Sequence, residues 1–242
     1  MVRAEQTASP ERLAALEWTA RMGAVTAEAL AEHMGTTVGV ARARLLAAVR
    51  TGLLVYRRPL TGQPALYTIT AAGSRTCGVQ GLDPCRVTAS NARHLIECAR
   101  VAATLERRYP DHRLDGEREL RRDEHERGGE LASARIAGGA GGSPFLHRPD
   151  LVLWPLGTEY GLPVAVEVEL TVKAPRRLAE ICRAWARCRC VAGVIYLASP
   201  EVEPALARAI DRAHAGDRVV AVPLAALTSH DGASQRTIAG DA

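Results

Sequence analysis

Pro163-Val164-Ala165-Val166-Glu167-Val168-Glu169-Leu170-Thr171-Val172-Lys173 is the stretch that decides the fold. Val164, Val166, Val168, Leu170 and Val172 fall on one face, and Glu167, Glu169, Thr171 and Lys173 on the other, the period-2 signature of a β-strand. Upstream, His147-Arg148-Pro149-Asp150 leads into the apolar run Leu151-Val152-Leu153-Trp154, with a Gly-containing turn at residues 157–163 between the two strands. Two acids, a hydroxyl and the only lysine of the chain thus line one side of one strand, and Asp150 stands at the edge of its neighbour. Such a row suits phosphodiester hydrolysis. Carboxylates that share a divalent cation bind Mg²⁺ through oxygen, and the metal with a lysine can activate water and neutralise charge on phosphate. The same alternation also describes a half-exposed edge strand with Glu and Lys on its solvent face.

The chain around this stretch has 242 residues, 47% of them hydrophobic and 24% charged, enough apolar material for one or two globular domains. No apolar run is long enough for a membrane span, and Met1 to Leu13 lacks the apolar core of a signal peptide, so a soluble, cytoplasmic protein is expected. Six cysteines are then expected to stay reduced. No pair has Cys-x-x-Cys spacing, and Cys188 and Cys190 have no His cluster beside them, so all are read as small buried residues rather than zinc ligands.

The net charge of +4 is concentrated in residues 1–76, which hold nine Arg against five acids. Three helical patterns occupy that region. One starts at Ser9-Pro10-Glu11 and ends at Met22-Gly23, a second starts at Thr26, and a third runs from Thr36-Thr37 to Thr51-Gly52. Leu53 to Arg58 and Ala65 to Thr70 then read as a hairpin about a Pro- and Gly-containing turn. Three helices followed by a hairpin resemble a winged helix-turn-helix, whose second helix of the pair lies in the major groove. That resemblance makes Thr37, Arg42 and Arg44 on the recognition helix and Arg57 and Arg58 on the wing the candidate contacts to double-stranded DNA, since an Arg fork suits guanine edges and phosphates alike. A solvated helix face, or a module that docks protein, is the alternative.

The expected division is a winged helix over residues 1–78, a linker over 79–89 around Leu82-Asp83-Pro84, and an α/β domain with a mixed central sheet over 90–228. In the second domain a long helix covers about Ser90 to Tyr109, a short strand Arg113 to Leu120, and a mobile loop the Gly- and charge-rich residues 123–147. A basic helix at 175–188, a buried strand at Val191 to Leu197, a helix at 201–215 and a last strand at Arg218 to Val222 follow, and residues 229–242 are expected to be a disordered tail.

Pro149-Asp150 on one strand and Glu167-x-Glu169 on the next is similar to the layout of the PD-(D/E)XK nuclease superfamily. By that resemblance Asp150 and Glu167 match the metal-binding acids, Mg²⁺ is the implied cofactor, and Asp150, Glu167, Glu169 and Lys173 form the catalytic set of a DNA endonuclease or nickase. The chain departs from the pattern where lysine is usual, which here is Glu169, with Lys173 further along the same face. Taken together, the winged helix, Asn91-Ala92-Arg93-His94-Leu95, Glu117-Arg118-Glu119-Leu120, Arg148-Pro149-Asp150 and Glu167-Val168-Glu169-Leu170-Thr171-Val172-Lys173 resemble the replication-relaxation family over roughly residues 10–225. That resemblance implies a DNA-binding protein tied to plasmid replication, mobilisation or transcription regulation. It also implies nucleoid or plasmid association, replication or mobilisation proteins or a second copy as partners, no established reaction, and Glu117 or Glu119 as an extra acid near the site. A protein-interaction adaptor is the third reading.

Overall fold

The computed structural model describes residues 9–137, 144–157 and 161–228. Each early helix begins at a hydroxyl that satisfies an otherwise orphaned backbone donor. Ser9 caps α1 (Pro10–Met22), with Pro10 at the first position, where its missing N–H costs nothing. The two-residue strand β1 (Ala24–Val25) follows. Thr26 caps α2 (Ala27–His33), accepting from Ala29 N–H at 3.1 Å, and Thr37 caps α3 (Val38–Arg50), accepting from Val40 N–H at 3.3 Å. β2 (Leu54–Arg57) and β3 (Leu66–Ile69) pair antiparallel, and β1 adds to the other edge of β3 to give the order β1-β3-β2. Thr70 then caps α4 (Ala71–Cys77). Gly73 is buried in this helix against the loop before β2, where a Cβ would lie 2.2 Å from the Leu53 carbonyl oxygen.

Residues 79–89 hold no helix or strand. After them come α5 (Ala92–Arg108), β4 (His112–Gly116) and α6 (Glu117–Arg127). The strand expected through Leu120 therefore stops at Gly116. Gly116 is an extended N-cap whose N–H donates to the Glu119 carboxylate at 3.2 Å, and Glu117 and Glu119 stabilise the positive end of the new helix.

The loop expected at 123–147 is largely ordered structure: α6 runs to Arg127, and β5 (Ala134–Ile136) pairs antiparallel with β6 (Phe145–His147). Ala132, Ala134 and Ile136 are buried, and alternation this short in such small side chains leaves little signal amid Gly and charge. The Gly138–Gly142 run lies outside the described residues, as do part of the 157–163 turn and the tail at 229–242.

β7 (Leu151–Pro155), β8 (Val164–Glu169), α7 (Pro175–Arg187), β9 (Gly193–Ala198), α8 (Glu203–Ala213), β10 (Val219–Pro223) and α9 (Leu224–Thr228) complete the chain. Five strands form an open mixed sheet in the order β10-β9-β8-β7-β4, with β8, β9 and β10 parallel and β4 and β7 antiparallel to their neighbours. The molecule is thus a mixed α/β protein with a mixed central sheet. β8 is the middle strand, so the edge-strand alternative does not hold: Glu167 and Glu169 are each only 5% exposed.

Two apolar cores flank the sheet. One contains Ala165, Val194 and Tyr196 beneath Leu178, Cys182 and Trp185 of α7. The other joins Val166 and Val168 to Ala102 and Leu105 of α5 and continues without a break into Leu16, Trp18 and Leu30 of the N-terminal helices. The boundary expected at residues 79–89 marks an irregular stretch of chain, but the hydrophobic interior runs across it. Polar contacts span the same seam. Trp18 Nε1–H donates to Glu106 at 3.0 Å, and His33 stacks on Trp18 at 4.5 Å and bonds the same carboxylate at 2.6 Å. Arg21 reaches Glu119 at 2.8 Å, Asp115 at 3.6 Å and the Leu114 carbonyl.

Candidate functional site

Antiparallel pairing of β7 with β8, Leu151 opposite Val166, sets the start of one strand beside the end of the other. Asp150 consequently lands next to the acids of β8. Its Oδ2 accepts the Val168 N–H at 2.8 Å, which fixes the carboxylate, and its Oδ1 lies 3.0 Å from His94 Nε2 on α5. Cys98, one helical turn further along α5, places Sγ 3.3 Å from the same nitrogen. From β6, His147 brings Nε2 within 2.7 Å of Glu167 Oε1, its ring held edge-on against Trp185. Lys173, just past β8, pairs with Glu169.

The four residues expected to be catalytic therefore gather at one end of the sheet, and each carboxylate has its own partner: Asp150 with His94, Glu167 with His147, Glu169 with Lys173. Neither histidine was singled out as a site residue from sequence. The signal for His94 was its i,i+4 spacing to Cys98 on an expected helix; for His147 it was proximity to Asp150 in a motif valued only for the acid. Glu117 and Glu119 do not join the cluster's ion pairs: Glu117 pairs with Arg121 and Glu119 with Arg21.

Burial pushes the Glu167 carboxyl above its ordinary value; His147 opposes this, Asp150's charge adds to it, and Lys173 pulls it down. The hydrogen bond to Asp150 raises His94, against its own burial. Cys98 is pushed well up by burial first and then by the charges of Asp150 and Glu167. A carboxyl raised on folding lends stability below its unfolded pKa and loses it as pH rises through the folded value. Glu167→Gln keeps an oxygen for His147 and removes the buried charge. We expect it to be more stable than wild type by about 0.5–2 kcal/mol at neutral pH, the size of a common single stabilising substitution. The gain should vanish below the ordinary glutamate range, as read by urea unfolding at pH 7.5 and pH 4; equal or lower stability at both would mean that Glu167 is a structural group.

Mg²⁺ requires near-octahedral oxygen coordination. Among the described residues no group of three potential ligands is built from oxygens alone; the group that forms is His94, Cys98 and Asp150, with ligand atoms all within 4.8 Å of one another. Both oxygens of Asp150 and one of Glu167 are already hydrogen-bonded, to the Val168 N–H, His94 and His147. Mg²⁺ commonly takes one or two carboxylates and several waters, so an ion on Asp150 and Glu167 would have to displace the His94 and His147 hydrogen bonds, and the His94–Cys98–Asp150 group does not point to it.

The candidate DNA contacts separate into two groups. Thr37 uses its hydroxyl to cap α3, Arg42 lies 3.4 Å from Glu28, and Arg44 approaches the Met34 sulfur at 3.7 Å. Arg57 and Arg58 are exposed, and neither guanidinium forms an ion pair among the described residues. Between α3 and the β2–β3 hairpin runs a groove of about 580 Å³ lined by residues that include Arg42, Leu46, Tyr56, Arg58 and Gln63. The outer face of α3 itself is largely apolar, with Val38, Val40 and Leu46 exposed.

The expected burial of the cysteines holds fully for Cys182 alone. Cys188 and Cys190 place their sulfurs 3.0 Å apart, both within reach of the Ser133 carbonyl.

No protein-family model matches the chain, and no curated protein matches it. Among solved structures the chain is similar to protein VC1899 from Vibrio cholerae, at 11% identity and a TM-score of 0.33 over 89% of this chain and 54% of that one. The chain thus spans about half the length of that protein, and a likeness so weak says nothing of function. No helix among the described residues is long and apolar enough to cross a membrane.

Proposed function

We propose that the chain is a double-stranded DNA-binding protein of replication-relaxation type, in which the N-terminal unit is a winged helix and the α/β unit is nuclease-like without Mg²⁺-dependent cleavage. The observation that carries the reading is Arg57 and Arg58, exposed on the hairpin and without an ion pair among the described residues, with Arg58 lining the groove along α3. Three capped helices with an antiparallel β1-β3-β2 sheet support reading that hairpin as a wing. Arg57 and Arg58 would grip phosphate, and the exposed apolar side chains of α3 would meet thymine methyl groups. The α/β unit supports the nuclease-like reading through Asp150, at the start of β7, and Glu167, near the end of the antiparallel neighbour β8.

The test is duplex affinity measured by fluorescence anisotropy over a range of salt. Each phosphate contact contributes about 0.9 to the log–log slope, so Arg57→Ala/Arg58→Ala should bind more weakly and lower the slope by up to about 2. No salt-dependent binding to any duplex overturns the reading. Val38, Val40 and Leu46 favour a second one, an adaptor that docks a protein or a second copy on α3. In that case Leu46→Asp would shift the sedimentation behaviour of the chain and Arg57→Ala/Arg58→Ala would not. Supercoiled plasmid incubated with Mg²⁺ should stay intact, and cleavage abolished by Asp150→Ala would restore the endonuclease.

A further inference from the structure

We propose that His94, Cys98 and Asp150 form a binding site for a thiophilic transition-metal ion of the zinc class, with three protein ligands and an open fourth corner. The donor set points to such an ion. Imidazole nitrogen and thiolate sulfur suit zinc and its neighbours, whereas magnesium and calcium take oxygen. The geometry points the same way. Metal–ligand bonds of about 2.0–2.3 Å place the corners of a tetrahedron roughly 3.3–3.7 Å apart. His94 Nε2 already lies 3.3 Å from Cys98 Sγ and 3.0 Å from Asp150 Oδ1, and all three ligand atoms lie within 4.8 Å of one another, so one ion can reach all three after a side-chain adjustment.

Two features make this more than a chance meeting of polar groups. His94 and Cys98 stand one turn apart on a single face of α5, a helix fixed in place by the apolar core on both sides of the chain's seam, so the pair is preset. Asp150 spends its second oxygen on the Val168 backbone N–H, an outer-shell bond of the kind that orients metal-binding carboxylates. All three residues keep some exposed surface, which gives the ion an entry path. Binding needs the Cys98 thiolate and a bare His94 Nε2, so the thiol proton and the proton that His94 holds toward Asp150 leave for solvent as the metal enters. Metal affinity should therefore climb with pH. The open corner would leave room for a bound water.

The site shares Asp150 with the nuclease-like reading but does not rest on it, and its test contains no nucleic acid. The full, reduced chain carrying Cys188→Ser and Cys190→Ser, so that this neighbouring thiol pair cannot compete, is titrated with Co²⁺ alone. Expected are one equivalent bound, a thiolate-to-cobalt charge-transfer band in the near-ultraviolet, intense visible bands of tetrahedral cobalt, and stoichiometric loss of both on adding Zn²⁺. Cys98→Ser should lose the charge-transfer band and His94→Gln should weaken binding at least about tenfold. Either variant suffices should the other fail to fold, with circular dichroism as the check. A spectrum of hydrated cobalt only, or a charge-transfer band that survives Cys98→Ser, overturns the proposal. Cobalt binding without duplex binding would sink the DNA reading alone, and the reverse outcome would sink this one alone.

Discussion

Arg21→Met should cost about 3–5 kcal/mol of stability at neutral pH, the magnitude expected when one partner of a buried charge network is removed and the others stay. Arg21 closes the last turn of α1 and reaches into the α/β unit, where it meets Glu119, Asp115 and the Leu114 carbonyl. The two carboxylates are 8% and 7% exposed at the side chain, so neither can recover its lost hydration. Burial and then the charge of Glu119 already push Asp115 above the ordinary carboxylate range, while Arg113 and Arg21 pull it down. Without Arg21 the upward push grows. A carboxyl raised on folding stabilises below its unfolded pKa and loses that contribution as pH rises, so the penalty should be largest above neutrality and shrink toward pH 4. Urea unfolding at several pH values checks the sign, and Arg21→Met/Glu119→Gln should regain part of the loss. A penalty independent of pH would mean that packing, not charge, is what Arg21 supplies.

Gly73→Ala and Gly39→Ala should move stability in opposite directions although both replace a helical glycine. Alanine in an open helical position gains about 0.5–1 kcal/mol, partly by narrowing the unfolded ensemble. At Gly39 in α3 an added Cβ meets only the Thr37 hydroxyl at 3.9 Å, so the gain should be realised. At Gly73 in α4 the same atom would sit 2.2 Å from the Leu53 carbonyl oxygen and 2.8 Å from Ile69 Cγ1. That carbonyl cannot retreat cheaply, because it accepts the Thr70 N–H at 3.0 Å and the Thr70 hydroxyl at 3.1 Å. Overpacking of this kind costs typically 1–3 kcal/mol, which exceeds the propensity gain, so a net loss of about 1–2 kcal/mol is expected at Gly73. Thermal unfolding of the two variants side by side decides the matter; a stabilised Gly73→Ala would mean that α4 shifts freely against the sheet.

Helix starts were legible because a hydroxyl before an apolar pattern has one strong local use: Ser9, Thr26 and Thr37 all cap. The alternation of β8 was legible as well, but not its position. A strand of Val and Glu reads as half wet, whereas here α7 covers the Glu side and the carboxylates pair with His147 and Lys173 instead of water. Sequence reasoning placed Asp150, Glu167, Glu169 and Lys173 together because the connection between β7 and β8 is short. It did not place His94 beside Asp150, since that contact depends on how a helix many residues away lies across the sheet. Ala134 and Ile136 were hidden for a simpler reason: three residues are too few for a periodic signal, and only their pairing with β6 makes them a strand.

The interior shared by Leu16, Trp18 and Leu30 with Ala102 and Val168 has a consequence for how such a protein can evolve. Units joined by a tether can be shuffled, duplicated or given new partners one at a time, as beads on a string. Here either half, cut at residues 79–89, would present its inner apolar face to water, so recombination at the one stretch that looks like a joint is penalised. The unit that carries Arg57 and the unit that carries Asp150 must therefore be inherited together, and a change in one is selected in the presence of the other.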